Sequence, residues 1–145
     1  MKLEGKVVLV TGAGSGIGKA AALELAREGA QVGVLSRTES EIRQTAREIE
    51  TDGGNAVVLT ADVSIADQVE SAIDTLVKTY GQLDFVFANA GINGVWAPVE
   101  EITPEEWDTT IDINLKGTFL TVKYSVPHLK LRGGSIAICS SVQGT

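Results

Sequence analysis

Thr11-Gly12-Ala13-Gly14-Ser15-Gly16-Ile17-Gly18 follows the apolar run Val7-Val8-Leu9-Val10 and opens the alanine-rich stretch Lys19-Ala20-Ala21-Ala22. That order reads as a strand, a glycine turn and a helix N-terminus. Glycine lets the chain turn sharply and lets a ligand approach the main chain. The first N–H groups of the helix, with the peptide dipoles behind them, favour an anion. The segment is therefore expected to hold a phosphate. A bland alternative stays open at this point, namely a strand-to-helix junction that needs one glycine for packing.

Working outward, strand and helix signals alternate along the whole chain, the pattern of a parallel sheet covered on both faces. The first strand is expected to end near Val10, and the first helix to run from about Ile17 to Glu28 with Ile17, Ala20, Ala21 and Leu25 inward and Gly29 as its stop. Gln31 to Ser36 reads as the second strand. Thr38-Glu39-Ser40-Glu41 reads as a capping box opening a helix that buries Ile42, Ala46 and Ile49. The third strand is expected from about Ala56 to Thr60, with Ser64 capping a helix that buries Ile65, Val69, Ile73, Leu76 and Tyr80. Leu83 to Ala88 reads as the fourth strand. Thr103-Pro104-Glu105-Glu106 combines an N-cap, proline at the first helical position and a returning glutamate, so a long helix is expected from there toward Pro127. Gly133-Gly134 then turns into a fifth strand, Ser135 to Cys139.

With 145 residues the chain is expected to form one domain. Its 12 basic and 19 acidic residues, net charge −7, argue against a general affinity for nucleic acid or anionic lipid, because no stretch concentrates Lys and Arg. Cys139 is the one cysteine and lies in the apolar run Ile136-Ala137-Ile138, so a buried, reduced thiol is expected rather than a nucleophile. The first apolar run is too short for a signal peptide and no segment reaches bilayer-spanning length, which places the expected location in the cytoplasm. No metal-ligand cluster is read from the sequence.

The glycine spacing is Thr-Gly-x-x-x-Gly-x-Gly, through Thr11, Gly12, Gly16 and Gly18. Asp62-Val63 follows the third strand, Asn89-Ala90-Gly91 the fourth, Asn114-Leu115-Lys116-Gly117 lies in the long helix, and Ser140-Ser141 follow the fifth strand. Together these motifs resemble those of the short-chain dehydrogenases/reductases. An unrelated nucleotide-fold enzyme such as a methyltransferase fits the turn but not Asn89, Asn114 and Ser141 together. The resemblance implies an α/β, Rossmann-like doubly wound parallel sheet of strand order 3-2-1-4-5, with residues 1–145 as an incomplete NAD(P)-binding domain cut before the last strands.

The same resemblance implies a cofactor set along the carboxyl edge of the sheet: Gly12, Ser15, Gly16, Ile17 and Gly18 at the pyrophosphate, Ser36 and Arg37 at the ribose, Asp62 and Val63 at the adenine, and Asn89, Ala90 and Gly91 beside it. An acid at the end of the second strand would bind the 2′-hydroxyl of NAD. Ser36 fills that slot and Arg37 follows, so NADP is favoured over NAD, with Arg37 as an ordinary surface arginine the alternative. Asp62 as a structural loop residue is likewise left open. Ala88 stands where the family usually has a first asparagine, and Asn89 reads as a scaffold residue tying strands together.

On a helical wheel Asn114 shares a face with Trp107, Ile111, Thr118 and Val122, which directs an amide at the interior, where it is either a satisfied core asparagine or, by resemblance, the holder of a water in a proton relay. Ser141 matches the family's catalytic serine, whose hydroxyl would hydrogen-bond a substrate carbonyl or hydroxyl. The family completes its chemistry with Tyr-x-x-x-Lys, a tyrosine acid/base and a lysine that lowers its pKa. In this sequence Tyr80 is followed four residues on by Asp84, and Tyr124 by His128.

The implied reaction is hydride transfer between a nicotinamide cofactor and a small carbonyl or secondary alcohol, as in 3-oxoacyl reductases or sugar and alcohol dehydrogenases. The whole protein is expected to be a homo-oligomer, and the chain as given to be inactive alone. A non-catalytic nucleotide-binding module is the alternative. The loop from Ile92 to Ile102, with Trp96 and Pro98, is expected to line one side of the substrate space.

Overall fold

A computed structural model describes residues 1–141. Its spine is a five-stranded, wholly parallel sheet, β1 (Val7–Thr11), β2 (Gln31–Ser36), β3 (Asn55–Thr60), β4 (Phe85–Ala88) and β5 (Ser135–Ile138), in the order β3-β2-β1-β4-β5. Register pairs Thr11 with Leu35 on one side of β1, and Val8 with Phe85 on the other. Both faces are covered, so β1 is apolar at every position up to Val10 rather than alternating. Leu9, Leu35, Leu76 and Val86 fill one layer, and Val8, Val10, Val32, Ile42 and Ile49 the other.

Helices α1 (Gly16–Arg27) and α2 (Glu39–Thr51) cover the second layer. α1 does not pack by the expected face. Its buried residues are Gly18, Ala22 and Ala26, while Ile17 is 65% exposed. With alanines all round the helix, apolarity could not choose the face. Close approach did, because only the Gly18-Ala22-Ala26 stripe is small along its whole length. α2 buries Ile42, Ala46 and Ile49 as expected, but the Thr38 side chain forms no cap. The Thr38 N–H that Glu41 was expected to take instead donates to Ser36 Oγ at 3.0 Å. Lys19 donates to Glu48 at 2.9 Å between the two helices, and that bond, with the one from Gln44, holds the Glu48 carboxyl below its ordinary range.

On the other face lies α3 (Ala66–Tyr80). Ile65, expected inward, is its extended N-cap and is 43% exposed, and Ser64 is spent on Asp62 rather than on the helix. The segment expected as one long helix begins with the capping box, Thr103 Oγ1 accepting from Glu106 N–H and Glu106 Oε2 from Thr103 N–H, but is broken in two. α4 (Pro104–Ile111) gives way to a π-helical turn, Asp112–Lys116, before α5 (Gly117–Leu129). Such a turn inserts a residue into the ladder and rotates everything beyond it. The face from Trp107 to Val122 is therefore not one face: Trp107 is 62% exposed, Asn114 is exposed, and the buried residues are Ile113, Gly117, Leu120, Thr121, Ser125 and Leu129. Nor does Pro127 end the helix, which continues until Lys130 N–H closes on Val126 O.

β5 stops at Ile138, and Cys139, expected buried, is exposed, because among the described residues β5 has a neighbour on one side only. Ser125 Oγ is fully buried and lacks a hydrogen-bond partner among the described residues. A buried hydroxyl left unpaired costs its desolvation without return. Ser125→Ala is expected to raise the unfolding free energy by about 1 kcal/mol, or leave it unchanged, in urea titrations. A loss of stability of that size would show that the hydroxyl is bonded after all.

Candidate functional site

The carboxyl ends of β1, β2, β3 and β4 converge on one cleft of about 210 Å³, at the edge of a parallel sheet where ligands of doubly wound folds bind. Its floor is the glycine turn. Gly12 has φ +65°, and a Cβ there would fall 2.9 Å from Ala90 Cα, so backbone conformation and space both require glycine. A Cβ on Gly18 would collide with the carbonyl oxygen of Gly12 and come 2.6 Å from Asn89 Nδ2. The helix thus starts directly behind the turn. Ala13 N–H donates to Leu35 O at 3.1 Å, and the buried Thr45 hydroxyl donates to Ala13 O at 3.0 Å, so β2 and α2 hold the turn's shape. Ser15 is the extended N-cap of α1 and its side chain makes no cap, so among the described residues no side chain accepts from the first N–H groups of the helix.

Thr11 is a site residue whose side-chain role the sequence reading missed. Its hydroxyl, 2% exposed with the rest of the residue, accepts from both Asn89 N–H and Ala90 N–H at 3.0 Å. The Asn89 amide donates to Thr11 O at 3.3 Å, with a longer contact to Gly12 O at 3.5 Å. β1 and β4 are therefore laced together directly behind the turn. A buried threonine at a strand end was the available signal.

At the end of β2, Ser36 is folded into a local turn with Thr38, and Arg37 is exposed on the cleft wall. Among the described residues no hydrogen bond or ion pair engages the Arg37 guanidinium. After β3, Asp62 Oδ1 accepts from Ser64 N–H at 2.9 Å and from Ser64 Oγ at 2.7 Å, while its own N–H donates to Gln68. This is an Asx turn, and it leaves Oδ2 uncommitted among the described residues. Val63 is buried against Gly117, where a Cβ would lie 2.7 Å from Val63 Cγ2.

Asn114 sits in the π turn and forms a two-way bracket with Ile92, donating from Nδ2 to Ile92 O and accepting from Ile92 N–H, both at 2.8 Å. A Cβ on Gly91 would lie 3.2 Å from Asn114 Oδ1, so the loop leaving β4 is pinned to the π turn at the cleft's rim.

The structure thus gathers Gly12, Ser15, Ser36, Arg37, Asp62, Val63, Ala90 and Gly91 around one cleft. Gly18 and Asn89 support its floor from behind, and Gly16 lies exposed at the start of α1. Ile17 does not line it, and neither does Ser141, which is exposed beyond the carboxyl end of β5. The reading of single motifs missed Gly14, Glu41, Ile92 and Ile113, which also line the cleft; Gly14 and Ile92 adjoin motif residues in sequence, while Glu41 and Ile113 become neighbours only through packing. A second, more open depression of about 480 Å³ lies between the Ile92–Val95 segment and α4, with Trp96 81% exposed beside it. Burial pushes the Tyr80 hydroxyl above its ordinary value, the wrong direction for a tyrosine acid/base near neutral pH. Among the described residues no cluster of His, Cys, Asp and Glu is placed to hold a metal ion, and no helix is long and apolar enough to cross a membrane.

Comparison with known proteins bears on this cleft. The family model described as short chain dehydrogenase matches residues 6–145. A (-)-trans-carveol dehydrogenase of Rhodococcus erythropolis is 40% identical, covering 99% of this chain and 57% of the relative. The 3-oxoacyl-[acyl-carrier-protein] reductase FabG of Thermotoga maritima is 39% identical, covering 99% and 58%. Among solved structures, a 3-ketoacyl-ACP reductase from Sinorhizobium meliloti superposes with TM-score 0.94 at 55% identity over 96% of this chain and 55% of that one. An NAD+-bound xylitol dehydrogenase gives TM-score 0.95 at 32% identity over 99% and 56%. The chain spans little more than half the length of these relatives.

Proposed function

The chain belongs to the short-chain dehydrogenase family of oxidoreductases, and from that premise we propose that the protein interconverts a carbonyl and a secondary alcohol with NADP(H) as its cofactor. The observation that carries the reading is the single cleft into which the glycine turn, Ser36-Arg37, Asp62-Val63 and Ala90-Gly91 converge from four strands. The cleft suits a dinucleotide: Gly12, Gly14 and Ser15 line it with the backbone of the turn, and the Ser15 side chain does not cap the α1 N-terminus.

In this reading the turn and the α1 N-terminus, including Gly16, Ile17 and Gly18, hold the pyrophosphate. Arg37 pairs with a 2′-phosphate, because the Ser36 slot carries no acid to repel it. Asp62 Oδ2 accepts from the adenine amino group, with Val63 beside it. When bound, the cofactor supplies or accepts a hydride at its nicotinamide. Ser141 orients the substrate oxygen by a hydrogen bond, and Asn114 holds a water in the proton relay while its bracket with Ile92 fixes the rim of the cleft. The substrate is a small molecule of the 3-oxoacyl, sugar or alcohol class, bordered by the loop bearing Trp96. The exposed apolar side chains Trp107, Leu115 and Phe119 support assembly of the protein into a homo-oligomer, and the absence of a spanning helix among the described residues is compatible with work in the cytoplasm.

Titrating the 145-residue chain with reduced cofactors, followed by fluorescence, tests the reading. NADPH is expected to bind more tightly than NADH. No turnover of a panel of ketones and secondary alcohols is expected, since no tyrosine of this sequence is followed four residues on by lysine. Failure to bind either dinucleotide would overturn the cofactor assignment. Enzyme-dependent turnover would show that the Tyr/Lys pair is dispensable.

A further inference from the structure

Glu41 is the acidic side chain of the α2 first turn that faces the glycine turn. Glu39, the other acid there, is engaged by Arg43 one turn on. Glu41 finds no such partner: no hydrogen bond or ion pair engages its carboxylate among the described residues. The capping role that its position offers is closed, because Thr38 N–H already donates to Ser36 Oγ. Its side chain lies over Gly14 instead. Glu41 Cβ and Oε2 both sit 2.8 Å from the point a Gly14 Cβ would occupy, and Ser36 Oγ is 3.4 Å from that same point. Gly14 thus leaves the space through which the carboxylate reaches the corner formed by Ser36 and Arg37, and all four residues line the cleft. Arg37 and Glu41 share that corner without pairing with one another. The ribose end of the cleft therefore carries one free positive and one free negative group.

We propose that Glu41 is a second determinant of cofactor choice, a carboxylate that repels the 2′-phosphate Arg37 attracts and that can accept a hydrogen bond from an unphosphorylated 2′-hydroxyl. The assignment rests on the dinucleotide reading of the cleft. It makes the ribose corner a balance of opposed charges rather than a simple phosphate site, so the protein takes both cofactors and the NADP preference from Arg37 is held well below what a lone guanidinium would confer. Two like charges across a solvated corner interact by roughly 1 kcal/mol, equivalent to several-fold in affinity. Because both groups are exposed, the effect is screened by salt.

The test is Glu41→Gln, which keeps the shape and removes the charge, titrated with NADP+, NAD+, 2′,5′-ADP and ADP. The NADP+ to NAD+ affinity ratio is expected to rise about threefold to tenfold. 2′,5′-ADP should tighten while ADP stays the same or weakens. The gain should shrink as ionic strength is raised toward about 0.5 M. Glu41→Lys should move the ratio further in the same direction. An unchanged ratio in a variant that still binds both dinucleotides overturns the role of Glu41 and leaves the cofactor reading standing, as does an equal loss for both, which marks Glu41 as structural only. Failure of the unsubstituted chain to bind any of the four probes overturns both.

Discussion

Arg37→Ala is expected to weaken NADP binding by roughly tenfold to a hundredfold while leaving NAD binding equal or improved, because a charge-assisted bidentate contact contributes on the order of 1.5–3 kcal/mol. The structure supports the upper part of that range in one respect, since no acid of the described residues ties up the guanidinium in the free protein. It supports the lower part in another, since Arg37 is exposed and its field is shared with Glu41. Ser36→Asp is expected to act in the same direction from the opposite side, by placing a carboxylate at the end of β2, where an acid in dinucleotide folds binds the 2′-hydroxyl. Titration by cofactor fluorescence measures both. An unchanged NADP to NAD ratio in Arg37→Ala makes Arg37 a surface residue and returns NAD as an equal candidate.

The second large effect lies behind the turn, at Gly18. Alanine favours a helix over glycine by about 1 kcal/mol, so propensity alone would have Gly18→Ala stabilise the chain. Packing opposes it. The new Cβ would collide with the Gly12 carbonyl oxygen, a backbone atom held by β1, and would crowd Asn89 Nδ2, which is committed to Thr11. Overpacking of this kind costs about 1–3 kcal/mol, and here the closest atom is backbone, which cannot swing aside as a side-chain end can. The clash is expected to win: a net loss of about 1 kcal/mol of stability in urea unfolding once the helix gain is set against it, accompanied by at least a tenfold loss of dinucleotide affinity as α1 is pushed off the turn. Wild-type stability and affinity in Gly18→Ala would show that helix and turn are not in the contact described.

Where sequence reading succeeded, the signal was local. The strands of the sheet, the capping box at Thr103 and the glycine turn each depend on residues within a few positions of one another, so periodicity and spacing suffice. Where it failed, two local signals competed or a distant contact intervened. Thr38-x-x-Glu41 has the form of a capping box, yet Ser36 took the N–H first. α1 offered alanines on every side, and the face was chosen by the close contact at Gly18. The wheel through Asn114 assumed an unbroken helix, and nothing in Ile111-Asp112-Ile113-Asn114 announces the π turn that breaks it.

By itself, then, the sequence determined the alternating α/β order, the glycine turn between β1 and α1 and the motif set that places the chain in its family, because each is written in short-range spacing and residue chemistry. Only the tertiary structure decided which groups meet in the cleft. Thr11 lacing β1 to β4, Asn114 bracketing Ile92, and Glu41 reaching the Ser36-Arg37 corner over Gly14 join residues that the chain separates by up to 79 positions. Their pairing follows from strand order and from how closely helices approach the sheet, quantities set by packing across the whole fold.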